Sequence, residues 1–157
     1  MVKPSQIETL SDRIEIQDLL TRYCSAIDSK QYDMLDTVFA PDACIDYTSA
    51  GGISGKLPEV KAWLERALGQ FPMTQHYVTN FGITVDGDSA KSRCMFYNPM
   101  GLRDRNGKEE LGLVLVFFGG YYNDRLIRTS EGWRISERVE ESTWMKGKLP
   151  EGLEIPR

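Results

Sequence analysis

The chain of 157 residues carries one histidine, in the run Met73-Thr74-Gln75-His76-Tyr77-Val78-Thr79-Asn80. Imidazole ordinarily gains and loses its proton near neutral pH, so His76 is the position best suited to general acid–base work. A histidine with a satisfied hydrogen bond, in a core or at a surface, would give the same sequence. Asp28 is the second unusual residue. Ile16, Leu19, Leu20, Tyr23 and Ile27 recur at three- and four-residue spacing, the buried stripe of an amphipathic helix. Asp28 falls at the edge of that stripe rather than on the polar face. It also stands in the last turn, where the helix dipole favours a cation over an anion. A turn-forming Asp28-Ser29 pair is the plainer explanation of this residue taken by itself.

The bulk properties narrow the function classes. Apolar residues make up 41% and charged residues 27%, a globular balance, and the length suits one domain over 1–157 with its own core. A net charge of -4 with no basic block argues against nucleic acid as a partner. Cys24, Cys44 and Cys94 are odd in number and widely spaced, unlike a disulfide framework or a zinc site. Reduced thiols in a cytoplasmic protein are the expectation. The N-terminal residues lack an apolar signal core, and the longest apolar run, Leu113 to Phe118, is too short to span a bilayer. One histidine among scattered carboxylates is a poor transition-metal set, so no metal is expected. No glycine-rich phosphate loop joins a strand to a helix, so no cofactor is expected either.

The elements that must position His76 and Asp28 follow from the periodicity. Ser5-Gln6-Ile7-Glu8 has the form of a capping box and Ser11-Asp12 offers a second helix start, with the end near Asp28-Ser29-Lys30. A short helix is expected over 32–39, closed by Pro41-Asp42, then a short strand over 43–48. A third helix over 57–68 carries Val60, Trp63, Leu64 and Ala67 on its stripe, with Pro58 in its first turn. From Met73 the period becomes two. Strands are expected over 78–85, 90–97, 111–127 and 133–144. The expected breaks are a turn at Asp86-Gly87-Asp88, an interruption at Asn98-Pro99 and a polar turn around Asn106-Gly107. Gly119-Gly120 reads as a bulge or bend, and 146–157 as a C-terminal tail or a clasp onto a neighbour. Helices followed by a strand meander indicate an α+β domain: a curved, mostly antiparallel sheet packed on three N-terminal helices around an internal pocket.

The order and these residues resemble the NTF2-like superfamily, and within it the SnoaL-like branch that holds scytalone dehydratase and hexachlorocyclohexane dehydrochlorinase. Asp28-Ser29-Lys30, Ala40-Pro41 and Ile45-Asp46-Tyr47 are similar to the D-S-K, A-P and I-D-Y of scytalone dehydratase. Thr74-Gln75-His76 resembles its T-Q-H, and His76-Tyr77-Val78-Thr79-Asn80 resembles the dehydrochlorinase's H-Y-x-T-N. The resemblance implies an NTF2-like cone and a catalytic dyad, with His76 as general base and Asp28 orienting it. It also implies that Tyr47 holds a water against the substrate, and that Asn123 and Arg138 bind substrate. Each of these three has a plain alternative: core for Tyr47, a bulge cap for Asn123, a solvated strand residue for Arg138. The chain departs from the pattern where scytalone dehydratase has a second histidine, near Asn98-Pro99-Met100, and a serine, at Tyr121. Tyr23 stands where the dehydrochlorinase has a lysine. Phe96, Phe117, Tyr121, Trp144 and Met145 are candidate pocket walls, or ordinary core.

These implications point to a cofactor-independent lyase, dehydratase or isomerase that uses the His76–Asp28 dyad on a small, largely apolar cyclic substrate. The other reading is a non-catalytic ligand-binding or oligomer-forming accessory subunit. Under either reading a homodimer or homotrimer is expected, with no nucleic-acid and no membrane partner.

Overall fold

A computed structural model describes residues 4–104 and 112–149. Helix α1 spans Pro4–Asp28, so it begins at the first of the two candidate starts. Asp12 lies inside the helix and caps nothing. It is buried, accepting from Trp133 Nε1 at 3.2 Å and pairing with Arg128 at 2.8 Å. The stripe of Ile16, Leu19, Leu20, Tyr23 and Ile27 is buried throughout, as its spacing requires.

The short second helix is present as a 3-10 helix over Tyr32–Thr37, ending two residues earlier than expected, and strand β1 runs over Phe39–Asp46. Pro41 therefore lies within a strand instead of ending a helix. The β1 ladder is irregular between Phe39 and Cys44, so Pro41 falls where no regular pairing needs its missing N–H. A 3-10 turn at Thr48–Ala50 leads to β2, Ser54–Lys56, and then to α2, Leu57–Leu68, whose stripe is buried as expected.

Strands β3 (Met73–Thr74), β4 (Tyr77–Asp86), β5 (Ser89–Arg103), β6 (Leu113–Thr129) and β7 (Gly132–Lys146) complete the chain. They form one seven-stranded sheet in the order β2-β1-β7-β6-β5-β3, with β4 also on β5. The β4 to β7 meander is antiparallel, while β1 joins β7 in parallel, making the sheet mixed. Pro99 does not interrupt β5. Its carbonyl accepts from Gln75 N at 3.0 Å, so its nitrogen faces the gap between β3 and β4, where no ladder bond is lost. The polar turn expected around Asn106-Gly107 lies outside the described residues, as does most of the expected tail; Lys146 belongs to β7.

Register breaks curl the sheet over the helices. One lies in β4 between Thr79 and Gly82, where Asn80 has a φ of 54°. Two lie in β7, where Ser136 and Thr143 are extra residues opposite β6. Gly120 sits at the second of these. A Cβ there would run into the Glu141 carbonyl and the Phe96 ring, so close approach of backbone explains the glycine. The concave face of this sheet, roofed by α1 and α2, holds the core and a cavity.

Candidate active site

Asp28 is placed by the way α1 ends. Lys30 adopts a φ of 59°, Lys30 N donates to Ile27 O at 3.1 Å and Gln31 N to Ala26 O at 2.9 Å. This Schellman closure satisfies the last carbonyls and leaves the Asp28 carboxylate projecting from the helix end. His76 lies between β3 and β4, where the chain leaves one edge pairing and begins the next. The two residues meet by two bonds: His76 N donates to Asp28 Oδ2 at 2.7 Å, and His76 Nδ1 lies 2.6 Å from Asp28 Oδ1. Burial raises the Asp28 carboxyl. The His76 ring bond and charge, the His76 N–H and the Thr74 hydroxyl outweigh it and hold the carboxyl below its ordinary value. Lys30 Nζ donates to Thr74 Oγ1 at 3.0 Å, which leaves the Thr74 proton for Asp28. With Asp28 on Nδ1, Nε2 is the free nitrogen, and the His76 side chain is only 4% exposed.

His76 borders a cavity of about 100 Å³. That is room for a few waters or part of a small ring. Its walls are largely apolar, with Trp63, Leu64, Leu68 and Phe71 from α2 and the segment after it, and Phe96, Met100 and Phe118 from the sheet. Six polar side chains reach it besides His76: Tyr23, Tyr47, Asn98, Tyr122, Glu140 and Ser142. The Tyr23 and Tyr47 hydroxyls are 2.9 Å apart. Burial pushes both phenols up, Tyr47 to about 12 against the lowering pull of Arg138, so both keep their protons. One donates to the other, and the accepting phenol keeps a proton to offer elsewhere. Asn98 Nδ2 donates to the Tyr122 hydroxyl at 3.4 Å, while Asn98 Oδ1 is buried with no partner among the described residues.

Of the residues singled out from the sequence, the cavity brings together His76, Tyr23, Tyr47 and Phe96, with Asp28 behind the imidazole. Arg138 is fully buried but stands behind the wall. Its Nε and Nη2 donate to Asp124 at 2.7 and 2.8 Å, and its guanidinium lies 4.2 Å from the Tyr23 ring centre and 4.3 Å from that of Tyr122. It is thus neither a solvated strand residue nor a group lining the cavity.

Five residues expected at the cavity lie away from it. Tyr121 is on the outer face with the Arg93 guanidinium 3.8 Å over its ring. Asn123 bonds there with Arg93 and with Val139 O. Phe117 stacks on Tyr97, and Trp144 is 47% exposed, as is its neighbour Met145 at 49%. Strand parity is the reason. The even positions of β6, Phe118 and Tyr122 among them, face inward, so Phe117, Tyr121 and Asn123 face out. In β7 the bulge at Thr143 turns Trp144 outward.

Glu140 is the residue that sequence reasoning missed. Alternation from Trp133 would carry 137, 139 and 141 inward. The bulge at Ser136 reverses the parity and brings in Arg138, Glu140 and Ser142. The signal that could have found Glu140 was Arg138 itself, two residues away on the same face. Burial pushes the Glu140 carboxyl up to about 7 against the lowering pull of Arg138, with Asp46 adding to the rise.

Among the described residues no group of three or more His, Cys, Asp and Glu is arranged to hold a metal ion. Among the same residues no helix is long and apolar enough to cross a membrane.

Known proteins share this architecture. A candidate scytalone dehydratase from Novosphingobium aromaticivorans superposes with a TM-score of 0.74 at 20% identity, over 93% of this chain and 97% of its own. A type 2 hexachlorocyclohexane dehydrochlorinase superposes with a TM-score of 0.74 at 21% identity, over 94% and 99% of the two chains. At such identities the likeness establishes the NTF2-like cone and nothing finer. In sequence, the uncharacterized protein Rv2910c of Mycobacterium tuberculosis is 46% identical over 141 residues, 89% of this chain and 91% of its own. Residues 8–139 match the SnoaL-like domain, and the chain belongs to that family.

Proposed function

We propose that this protein is a cofactor-independent lyase, dehydratase or isomerase that acts on a small, largely apolar cyclic substrate, with the His76–Asp28 pair as its general base. The observation that carries this reading is the paired contact of Asp28 with the His76 backbone and Nδ1 beside a largely apolar cavity. Asp28 fixes the imidazole with its proton on Nδ1, and Nε2 accepts a proton from a substrate carbon next to a carbonyl or leaving group. The imidazolium that forms is stabilised by the carboxylate. The Tyr23–Tyr47 hydroxyl pair offers a proton to developing oxyanion charge, and its enclosure strengthens that bond. The candidate scytalone dehydratase and the dehydrochlorinase of the same fold carry out, by their names, reactions of this general kind. A filled interior with His76 at the surface would have favoured the accessory-subunit reading; the open cavity favours an enzyme.

The test needs no knowledge of the natural substrate. Exchange of the ring protons beside the carbonyl of 2-tetralone and related cyclic ketones is followed by proton NMR in D2O. The wild-type protein should accelerate exchange, and His76→Ala should lose on the order of 100-fold or more of it. Equal rates in the two proteins would refute the reading. Homo-oligomer formation belongs to the same proposal. Tyr77, Tyr97 and Trp144 form an exposed aromatic patch on the outer sheet face, of the kind that a second subunit covers. Light scattering that shows only monomer would remove that part.

A further inference from the structure

We propose that Glu140 is a second catalytic group, an acid that hands a proton to an oxygen on the substrate while His76 removes one from carbon. The inference rests on the base reading for His76 and extends it to the substrate class: a neutral ring bearing a hydroxyl or carbonyl oxygen. Glu140 reaches the cavity from β7, and His76 reaches it from the head of β4, three strands away in the sheet. A ring bound between them meets the two groups from different sides.

The carboxyl is free to do this. Every other carboxylate close to the cavity is committed. Asp28 is held by His76, Asp124 by Arg138, and Asp46 accepts from Thr48 N at 2.9 Å and from its hydroxyl at 2.6 Å. Glu140 differs: among the described residues its carboxyl has no ion pair and no hydrogen-bond donor, and its backbone carbonyl accepts from Ser49 Oγ at 2.9 Å. The charged and titratable groups facing it are Arg138 on its own strand, Asp124 and Tyr122 on β6, and Asp46 and Tyr47 at the end of β1. Tyr122 stands directly across the ladder from it. Arg138 would favour the ionised form, but the bidentate Asp124 satisfies most of that charge. Desolvation then raises the carboxyl to about 7, so a protonated fraction persists at neutral pH.

In an elimination His76 Nε2 takes the proton from carbon, and the C–H electron pair becomes the new C=C bond. The C–O bond breaks, its electron pair leaves on oxygen, and the Glu140 proton completes a water molecule. His76 is left protonated and Glu140 ionised, and exchange with solvent restores both. Once Glu140 has given up its proton, a carboxylate on the ring would face a second negative charge in the same cavity, which is why the substrate class is neutral.

The test separates this acid from the base. Infrared difference spectra between wild type and Glu140→Gln should show a protonated-carboxyl C=O band at about pH 6 that disappears by about pH 8.5. Binding of 2-tetralone is then read from the fluorescence of Trp63 on the cavity wall. In wild type the affinity should fall roughly tenfold as Glu140 loses its proton. In Glu140→Gln, which keeps a donor at every pH, it should stay flat. Absence of the band, or the same pH dependence in both proteins, overturns the proposal. Failure of the base reading would appear elsewhere, as a wild type that exchanges no ketone protons while the band and the binding curves remain.

Discussion

Glutamine at position 140 should make the protein more stable at alkaline pH and leave it unchanged at acid pH. Burial holds the Glu140 carboxyl at about 7, above its ordinary 4.5. The folded state therefore binds this proton more tightly than the unfolded chain does. The resulting stability is fully present below about pH 4.5, declines as the pH rises, and is lost once the pH passes about 7. One pKa unit is worth ~1.4 kcal/mol, and because Glu140 is only partly buried the full span is discounted to about 2–3 kcal/mol. Glutamine has the same shape as the protonated acid and no charge to desolvate. Its melting temperature should match wild type at about pH 4.5 and exceed it by roughly 5–10 °C at about pH 8.5. Asp28 changes stability in the opposite sense, because its carboxyl lies below the ordinary value, but that contribution is common to both proteins and cancels in the difference. Differential scanning calorimetry across this range is the assay. Parallel curves, or a glutamine variant less stable at pH 8.5, would refute the argument that Glu140 is an unpartnered acid in a desolvating cavity.

The buried Arg138–Asp124 pair should behave as a unit. Arg138→Met leaves Asp124 uncompensated and should cost about 3–5 kcal/mol in urea unfolding, whereas Arg138→Met with Asp124→Leu should recover most of it. Loss of Asp28 should release the imidazole. Nitrogen-15 NMR of the single histidine should show a proton fixed on Nδ1 in wild type and a mixture of tautomers in Asp28→Ala. A wild-type spectrum already showing the mixture would remove Asp28 as the orienting group.

The sequence determined the parts that depend on local periodicity and chemistry. The stripes of α1 and α2 are as spaced, because a helix buries positions three and four apart whatever surrounds it. The single His76 and the misplaced Asp28 were legible as unusual residues, and the order of helices before a meander was enough for the α+β class. Both prolines were misread for one reason. Pro41 and Pro99 break a ladder only if their missing N–H groups face a partner, and which neighbour stands there is a tertiary fact. The walls of the cavity were misread for a related reason. A strand's sequence fixes which residues share a face but not which face is inside, and each bulge exchanges the two. The extra residues at Ser136 and Thr143 brought Glu140 in and turned Trp144 out, and the packing of β7 against β6 decided both.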